Sequence, residues 1–289
     1  MLSLTSGCGR PIAEVKGGKD AKKILSVIDP DKSDNCCALC SPKCNRAKVE
    51  ERCCDKCKSC CKKKEAPKPK EETIGQSYVC DTDGRLSIIP NIKEREITYI
   101  AGPSGSGKST IASKYVEMFK ELFPDRDFFL FSRLDKDPAL DRLKPMRIMI
   151  DENLLRDPID IQTELSKGAI LVFDDCSTIQ NPALKRYIDG LMSDIMEIGR
   201  KLNIWLVITN HLVIPNEKKM ARTIMNEMHS MTVFPKSGSA QQIRYALKTY
   251  FGLTNKQIDE IIKMPSRWIT VYKSYPQYVL YDKGSFILN

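Results

Sequence analysis

One stretch limits the possible folds of this chain more than any other. Gly102-Pro103-Ser104-Gly105-Ser106-Gly107-Lys108-Ser109 lies between the apolar run "EITYIA" and a segment with helical spacing. It matches G-x-x-x-x-G-K-[ST] in full, and the motif works only where a buried strand turns sharply into a helix. The glycines let backbone N–H groups converge, and the helix amino terminus adds positive potential. Together they make a cradle for phosphate oxygens, a P-loop, in which Lys108 reaches the β- and γ-phosphates. The Ser109 hydroxyl, followed by Thr110, is placed to ligate Mg²⁺. The bound molecule is then a nucleotide such as ATP, and the fate of its terminal phosphoryl group has to be read elsewhere in the chain.

The second element is "AILVFDD", an apolar run ending in Asp174 and Asp175, about 65 residues beyond the loop. A carboxylate at the tip of a buried strand holds Mg²⁺, which assigns Asp174 as the Walker B acid. A second acid beside it can polarise an attacking water, which makes Asp175 the candidate general base. The third element is the end of "NIWLVITNH": Asn210 is the first candidate for a polar sensor of the γ-phosphate and His211 the second. Transition-state charge also calls for a cation, often an arginine from a neighbouring subunit. Arg200 and Arg222 are the candidates, and either would imply a ring-shaped homo-oligomer.

The segments between these motifs alternate in type. "DFFLFS", "MRIMI", "AILVFDD" and "NIWLVITNH" read as buried strands. Between the last two, Asn181 and Pro182 start a helix whose stripe is Leu184, Tyr187, Ile188, Leu191, Met192 and Ile195. Strand and helix in alternation give an α/β fold with a mainly parallel sheet covered on both faces. A strand inserted between the P-loop and Walker B strands makes it the additional-strand type. Beyond it, "AQQIRYALKTYFG" reads as a helix stopped by Gly252, and Thr254 with Gln257 form a capping box. The end of the chain reads as short strands. Upstream, "DAKKILSVI" is expected to form a short helix, and the Asp-Gly of "SYVCDTDGRLSII" signals a hairpin.

Charge and cysteine divide the chain. The net charge is +9, and residues 1–75 hold 17 Lys/Arg against 11 Asp/Glu. A basic appendage suits a polyanionic partner such as double-stranded DNA. Nine of the 12 cysteines fall within residues 36–61, and "KKKEAPKPKEE" follows as a linker. This sets a cysteine-rich, largely irregular segment at 1–75 and a P-loop domain at 76–289. Cys37, Cys40, Cys54 and Cys57 have the spacing of an all-thiolate Zn²⁺ site. A thiol-rich tail without metal and a disulfide or other metal site remain open. No apolar run is long enough to span a membrane, and the amino terminus lacks the features of a secretory signal. The expected compartment is cytoplasmic and reducing.

"GPSGSGKS", "ILVFDD" and "GRKLNIWLVITNH" together resemble the poxvirus-type genome-packaging ATPases of large DNA viruses, within the FtsK–HerA superfamily of P-loop motors. The resemblance covers roughly residues 95–212. It implies Mg²⁺-dependent ATP hydrolysis coupled to DNA translocation or remodelling, in the host cytoplasm or the virion. Two positions depart from the pattern: Asn210 stands where the superfamily usually has Gln, and "GRK" replaces "GRH". Two other readings stay open. A nucleoside or nucleotide kinase would draw lid arginines from "RLDKDPALDRLKPMR", and a zinc-bearing interaction protein would use the P-loop as a switch.

Overall fold

A computed structural model describes residues 2–4, 9–28 and 79–288. The cysteine block, with Cys37, Cys40, Cys54 and Cys57, and the lysine-proline linker lie outside the described residues. The chain divides into two compact units, one made of Met1–Ile89 with Ser274–Asn289 and the other of Pro90–Lys273.

The first unit begins with β1 (Leu2–Ser3), β2 (Arg10–Lys16), β3 (Ile24–Val27), β4 (Val79–Asp81) and β5 (Arg85–Ile88). Four of these pair antiparallel in the order β1-β3-β2-β5. The expected helix at "DAKKILSVI" is therefore overturned, because its apolar half is β3. Lys22 takes a left-handed φ of 67°, and the Lys22 N–H donates to the Val15 carbonyl at 2.8 Å, turning the chain back onto β2. Leu25 and Val27 are buried between two partner strands, and nonlocal pairing of that kind outweighs a nine-residue helical pattern.

The Asp83-Gly84 turn is not a simple hairpin either, because β5 pairs with β2 whereas β4 joins a different sheet. Gly84 is required by close backbone approach. A Cβ there would sit 2.2 Å from the Gly17 carbonyl oxygen.

The second unit carries β6 (Ile97–Ala101), α1 (Lys108–Leu122), β7 (Phe128–Ser132), α2 (Pro138–Asp141), β8 (Met146–Met149) and α3 (Asn153–Arg156). It continues through β9 (Ile170–Phe173), α4 (Pro182–Ile198), β10 (Trp205–Asn210), α5 (Lys218–Glu227) and β11 (Ser230–Val233), then α6 (Ala240–Phe251), α7 (Asn255–Lys263) and β12 (Ile269–Tyr272). The sheet order is β12-β11-β6-β10-β9-β7-β8, and all neighbours are parallel except β11 and β12. β10 lies between the P-loop strand β6 and the Walker B strand β9, which is the additional-strand arrangement. Every residue of β6, β7, β9, β10 and β11 is buried, as expected where helices cover both faces of a parallel sheet.

The helix boundaries follow from local chemistry. The Asn181 side chain accepts the Ala183 and Leu184 N–H groups and Pro182 opens α4. Gly252 ends α6 at φ 69°, and the Thr254–Gln257 capping box opens α7.

In the first unit, β13 (Tyr278–Tyr281) and β14 (Gly284–Ile287) form an antiparallel pair joined through β14 to β4. Among the described residues, no helix is long and apolar enough to cross a membrane.

Candidate nucleotide site

The register of the parallel strands gathers the chemistry at one edge of the sheet. Ala101 pairs with Asn210 and with Val233, and Ile208 pairs with Phe173. The residues just past these ends are the P-loop after β6, Asp174 after β9, His211 after β10 and Phe234 after β11. Carboxyl ends of parallel strands are where ligands bind in such sheets.

The loop is built to receive an anion. Gly105 and Gly107 have φ of 73° and 111°, which side chains rarely adopt. Gly102 lies against the Phe234 ring, so that a Cβ there would meet it at 2.6 Å. α1 begins with no side-chain cap and no acid in its first turn. Its first N–H groups and its dipole are thus left to a ligand. The Ser106 hydroxyl is buried and has no hydrogen-bond partner among the described residues. These features fit a nucleotide phosphate chain.

Three side chains close a polar triangle at the mouth of the loop. Lys108 Nζ is 3.6 Å from Asp175 Oδ1 and 3.4 Å from His211 Nδ1, and His211 Nε2 is 3.1 Å from Asp175 Oδ2. The tautomer that satisfies both contacts accepts from Lys108 at Nδ1 and donates from Nε2. Asp175 has left-handed backbone angles, φ 47° and ψ 38°, at the start of a short 3-10 turn, Cys176–Thr178. Such angles cost a non-glycine residue about 1 kcal/mol and recur at functional sites. Here they swing the carboxylate from the end of β9 towards Lys108.

Asp174 sits deeper. Burial, reinforced by the neighbouring Asp175 charge, pushes its carboxyl above the usual range, while the Thr209 hydroxyl bond at 2.7 Å works the other way. The Thr209 Oγ1 also accepts the Asp175 N–H at 2.9 Å. Asp174 Oδ2 makes no hydrogen bond among the described residues, and Ser109 lies in the first turn of α1. These two can hold Mg²⁺ together with phosphate oxygens. Among the described residues, no group of three or more His, Cys, Asp and Glu side chains gathers into a metal site of its own.

Of the remaining candidates, Asn210 stands at this same edge, opposite Ala101, and the arginines lie on other elements. The Asn210 Oδ1 accepts the Leu212 N–H at 3.1 Å and its side chain is buried, and the polar residue that meets Lys108 is His211, just past the end of β10. Arg200 lies beyond the carboxyl end of α4, five residues before β10 starts, near Arg95 and so at the opposite sheet edge. Arg222 is exposed on α5. The kinase-lid arginines are engaged by the protein itself: Arg133 with Thr178, Arg142 with Glu117 and Ser113, and Arg147 with Asp141.

Two residues of the site have no motif. Phe234 floors the loop, and Arg267 donates to the Gly105 and Ser106 carbonyls at 3.1 and 3.0 Å. Both contacts link residues more than 100 positions apart, and no spacing rule signals them.

No family model matches the chain. A Sputnik virophage protein, "Uncharacterized protein V3", is 42% identical over 224 residues, covering 78% of this chain and 90% of its own. Among solved structures, the genome packaging NTPase B204 of Sulfolobus turreted icosahedral virus 2, in complex with AMPPCP, superposes with a TM-score of 0.45 at 10% identity. That match covers 65% of this chain and 97% of B204. The cytoplasmic domain of the Thermomonospora curvata type VII secretion ATPase EccC gives 0.47 at 16% identity, covering 70% of this chain and 28% of that one. The site itself has the arrangement of a P-loop ATPase: cradle, lysine, paired acids and an intervening strand with a polar end. By the extent and identity of the virophage match, this chain belongs to one family with protein V3 of Sputnik virophage.

Proposed function

We propose that this chain hydrolyses ATP and uses the energy to move or remodel double-stranded DNA, in the packaging of a viral genome. The observation that carries the hydrolytic part is the Asp175 carboxylate, held 3.6 Å from Lys108 and 3.1 Å from His211 at the mouth of the P-loop. A carboxylate there is placed to accept a proton from water as the water oxygen bonds to the γ-phosphorus and the bond to the ADP oxygen breaks. Lys108 balances charge on the phosphate oxygens, and His211 orients Asp175. Ser109 and Asp174 would hold Mg²⁺, which would supply positive charge to neutralise the phosphates. The lid arginines are already committed to protein partners, which favours water over a second substrate as acceptor.

The DNA-directed part rests on the net charge of +9 and on the motif resemblance, and the viral setting rests on the source of the virophage relative. Because Arg200 lies at the far edge of its own sheet, a catalytic role for it requires a neighbouring subunit, and hence a ring. The test is ATP turnover with and without double-stranded DNA, together with the mass of the assembly in ATP. The expected result is turnover that rises with DNA in an oligomer. Turnover indifferent to DNA overturns the DNA-directed part, and absence of turnover overturns the hydrolytic part.

A further inference from the structure

We propose that Arg267 is a positioning residue for the phosphate cradle, holding the Gly105–Gly107 peptides in the form that receives a nucleotide. The inference rests on the nucleotide-binding reading above and adds a residue that belongs to none of its motifs.

Arg267 Nε donates to the Ser106 carbonyl at 3.0 Å and Nη2 to the Gly105 carbonyl at 3.1 Å. One planar guanidinium thus spans two successive peptides. In a trans peptide the C=O and the following N–H point in opposite directions. Holding the Ser106 carbonyl outward therefore turns the Gly107 N–H away from Arg267, to the inner side of the loop. The Ser106 N–H already donates to Pro103 O at 3.2 Å, which closes the turn. The guanidinium lies 3.7 Å from where a Gly107 Cβ would stand.

The brace is needed because of what it braces. Gly105 and Gly107 are both in left-handed conformations, and no atom lies within 4 Å of a Cβ built at Gly105. Glycines with that freedom lose the most entropy when a ligand fixes them. Fixing them beforehand moves this cost out of binding, which raises affinity.

Arg267 is itself well anchored. The Ser266 hydroxyl donates to the Trp268 carbonyl at 2.7 Å, both flanking residues are buried, and Ile269 pairs with Val233 in the sheet. No carboxylate forms an ion pair with Arg267 among the described residues, so its charge is left to act on an anion in the loop. A surface arginine held for solubility has no reason to bond two carbonyls of a phosphate loop more than 160 residues earlier in the chain.

The test is titration of wild type, Arg267→Ala and Arg267→Lys with ADP and with Mg–ATP, alongside steady-state hydrolysis. Two hydrogen bonds from a charged donor are lost in Arg267→Ala, so nucleotide should bind about tenfold or more weakly. kcat/KM should fall by a similar factor, and the fall should lie in KM. Arg267→Lys, which keeps the charge but not the paired geometry, should lie between. Should the alanine variant fail to fold, Arg267→Gln gives the same comparison. Affinity within about twofold of wild type overturns the proposal, as does a fall in kcat at unchanged KM. A wild-type chain that binds neither nucleotide overturns the nucleotide reading itself, and this inference with it.

Discussion

Thr209, next to last in β10, donates its hydroxyl proton to Asp174 at 2.7 Å while accepting the N–H of Asp175 at 2.9 Å. One hydroxyl on the inserted strand therefore fixes both acids of the neighbouring strand end. Thr209→Val keeps the shape and removes both bonds. It leaves the Asp175 N–H and one Asp174 oxygen without that partner, which should cost about 1–3 kcal/mol of unfolding free energy. Urea denaturation measures the cost, and an unchanged midpoint would show that the hydroxyl holds nothing in place.

Asp174 gives a pH signature. Burial raises its carboxyl pKa in the folded chain above the unfolded value of 3.8. The folded state then holds the proton more tightly, so stability falls as pH rises from the unfolded value through the folded one. Below both values the residue contributes no slope. Asp174→Asn removes the ionisation, so the variant should lose this decline and gain on wild type as pH approaches neutrality. Thermal midpoints across the acid range read the difference, and parallel curves for the two proteins would refute the assignment.

Asp175→Asn separates binding from chemistry. Asparagine tolerates the left-handed backbone found at this position. The variant should fold normally and hydrolyse ATP about 10²–10⁴-fold more slowly, if the carboxylate is the general base. Without the Asp175 charge, Lys108 loses the carboxylate that stands 3.6 Å from its Nζ, so ATP should bind at least as tightly as in wild type. Single-turnover hydrolysis and an ATP titration on the same preparation check both halves.

Phe234 supports the loop from below, buried and packed beneath Gly102. Phe234→Ala should destabilise the chain by about 3–5 kcal/mol, whereas Phe234→Leu should cost less than about 1.5 kcal/mol. Nucleotide affinity should fall in the alanine variant at temperatures where it is still folded. A chemical-denaturation series with ADP titrations separates loss of fold from loss of the loop's floor.

What could be read from the sequence was the part written in consecutive residues. The P-loop, the Asp174-Asp175 pair, the Asn181 cap and the Thr254–Gln257 box are local patterns whose chemistry follows from spacing. The inserted position of β10 was also legible, since an apolar strand with a polar end stood in the right place. The start of the chain was misread because Leu25 and Val27 are buried by strands paired around them, and helical spacing over nine residues carries no information about such partners. Gly84 looked like a hairpin glycine, but it is required by the approach of Gly17. Phe234 and Arg267 were missed for the same kind of reason: their roles exist only once distant strands lie side by side.

The reversed direction of β12 has a practical meaning for variation in this family. In the parallel strands β6, β9, β10 and β11, sequence change just after the strand reaches the candidate nucleotide site. In β12 it is the residues before the strand that do so, because Ile269 pairs with Val233 while Tyr272 pairs with Ser230 at the far edge. Lys273 leaves from that far edge, its N–H bonded to the His229 carbonyl at 2.9 Å. One extra residue between α7 and Arg267 should therefore disturb the phosphate loop, whereas one at the Tyr272 end of β12 enters at the edge away from it.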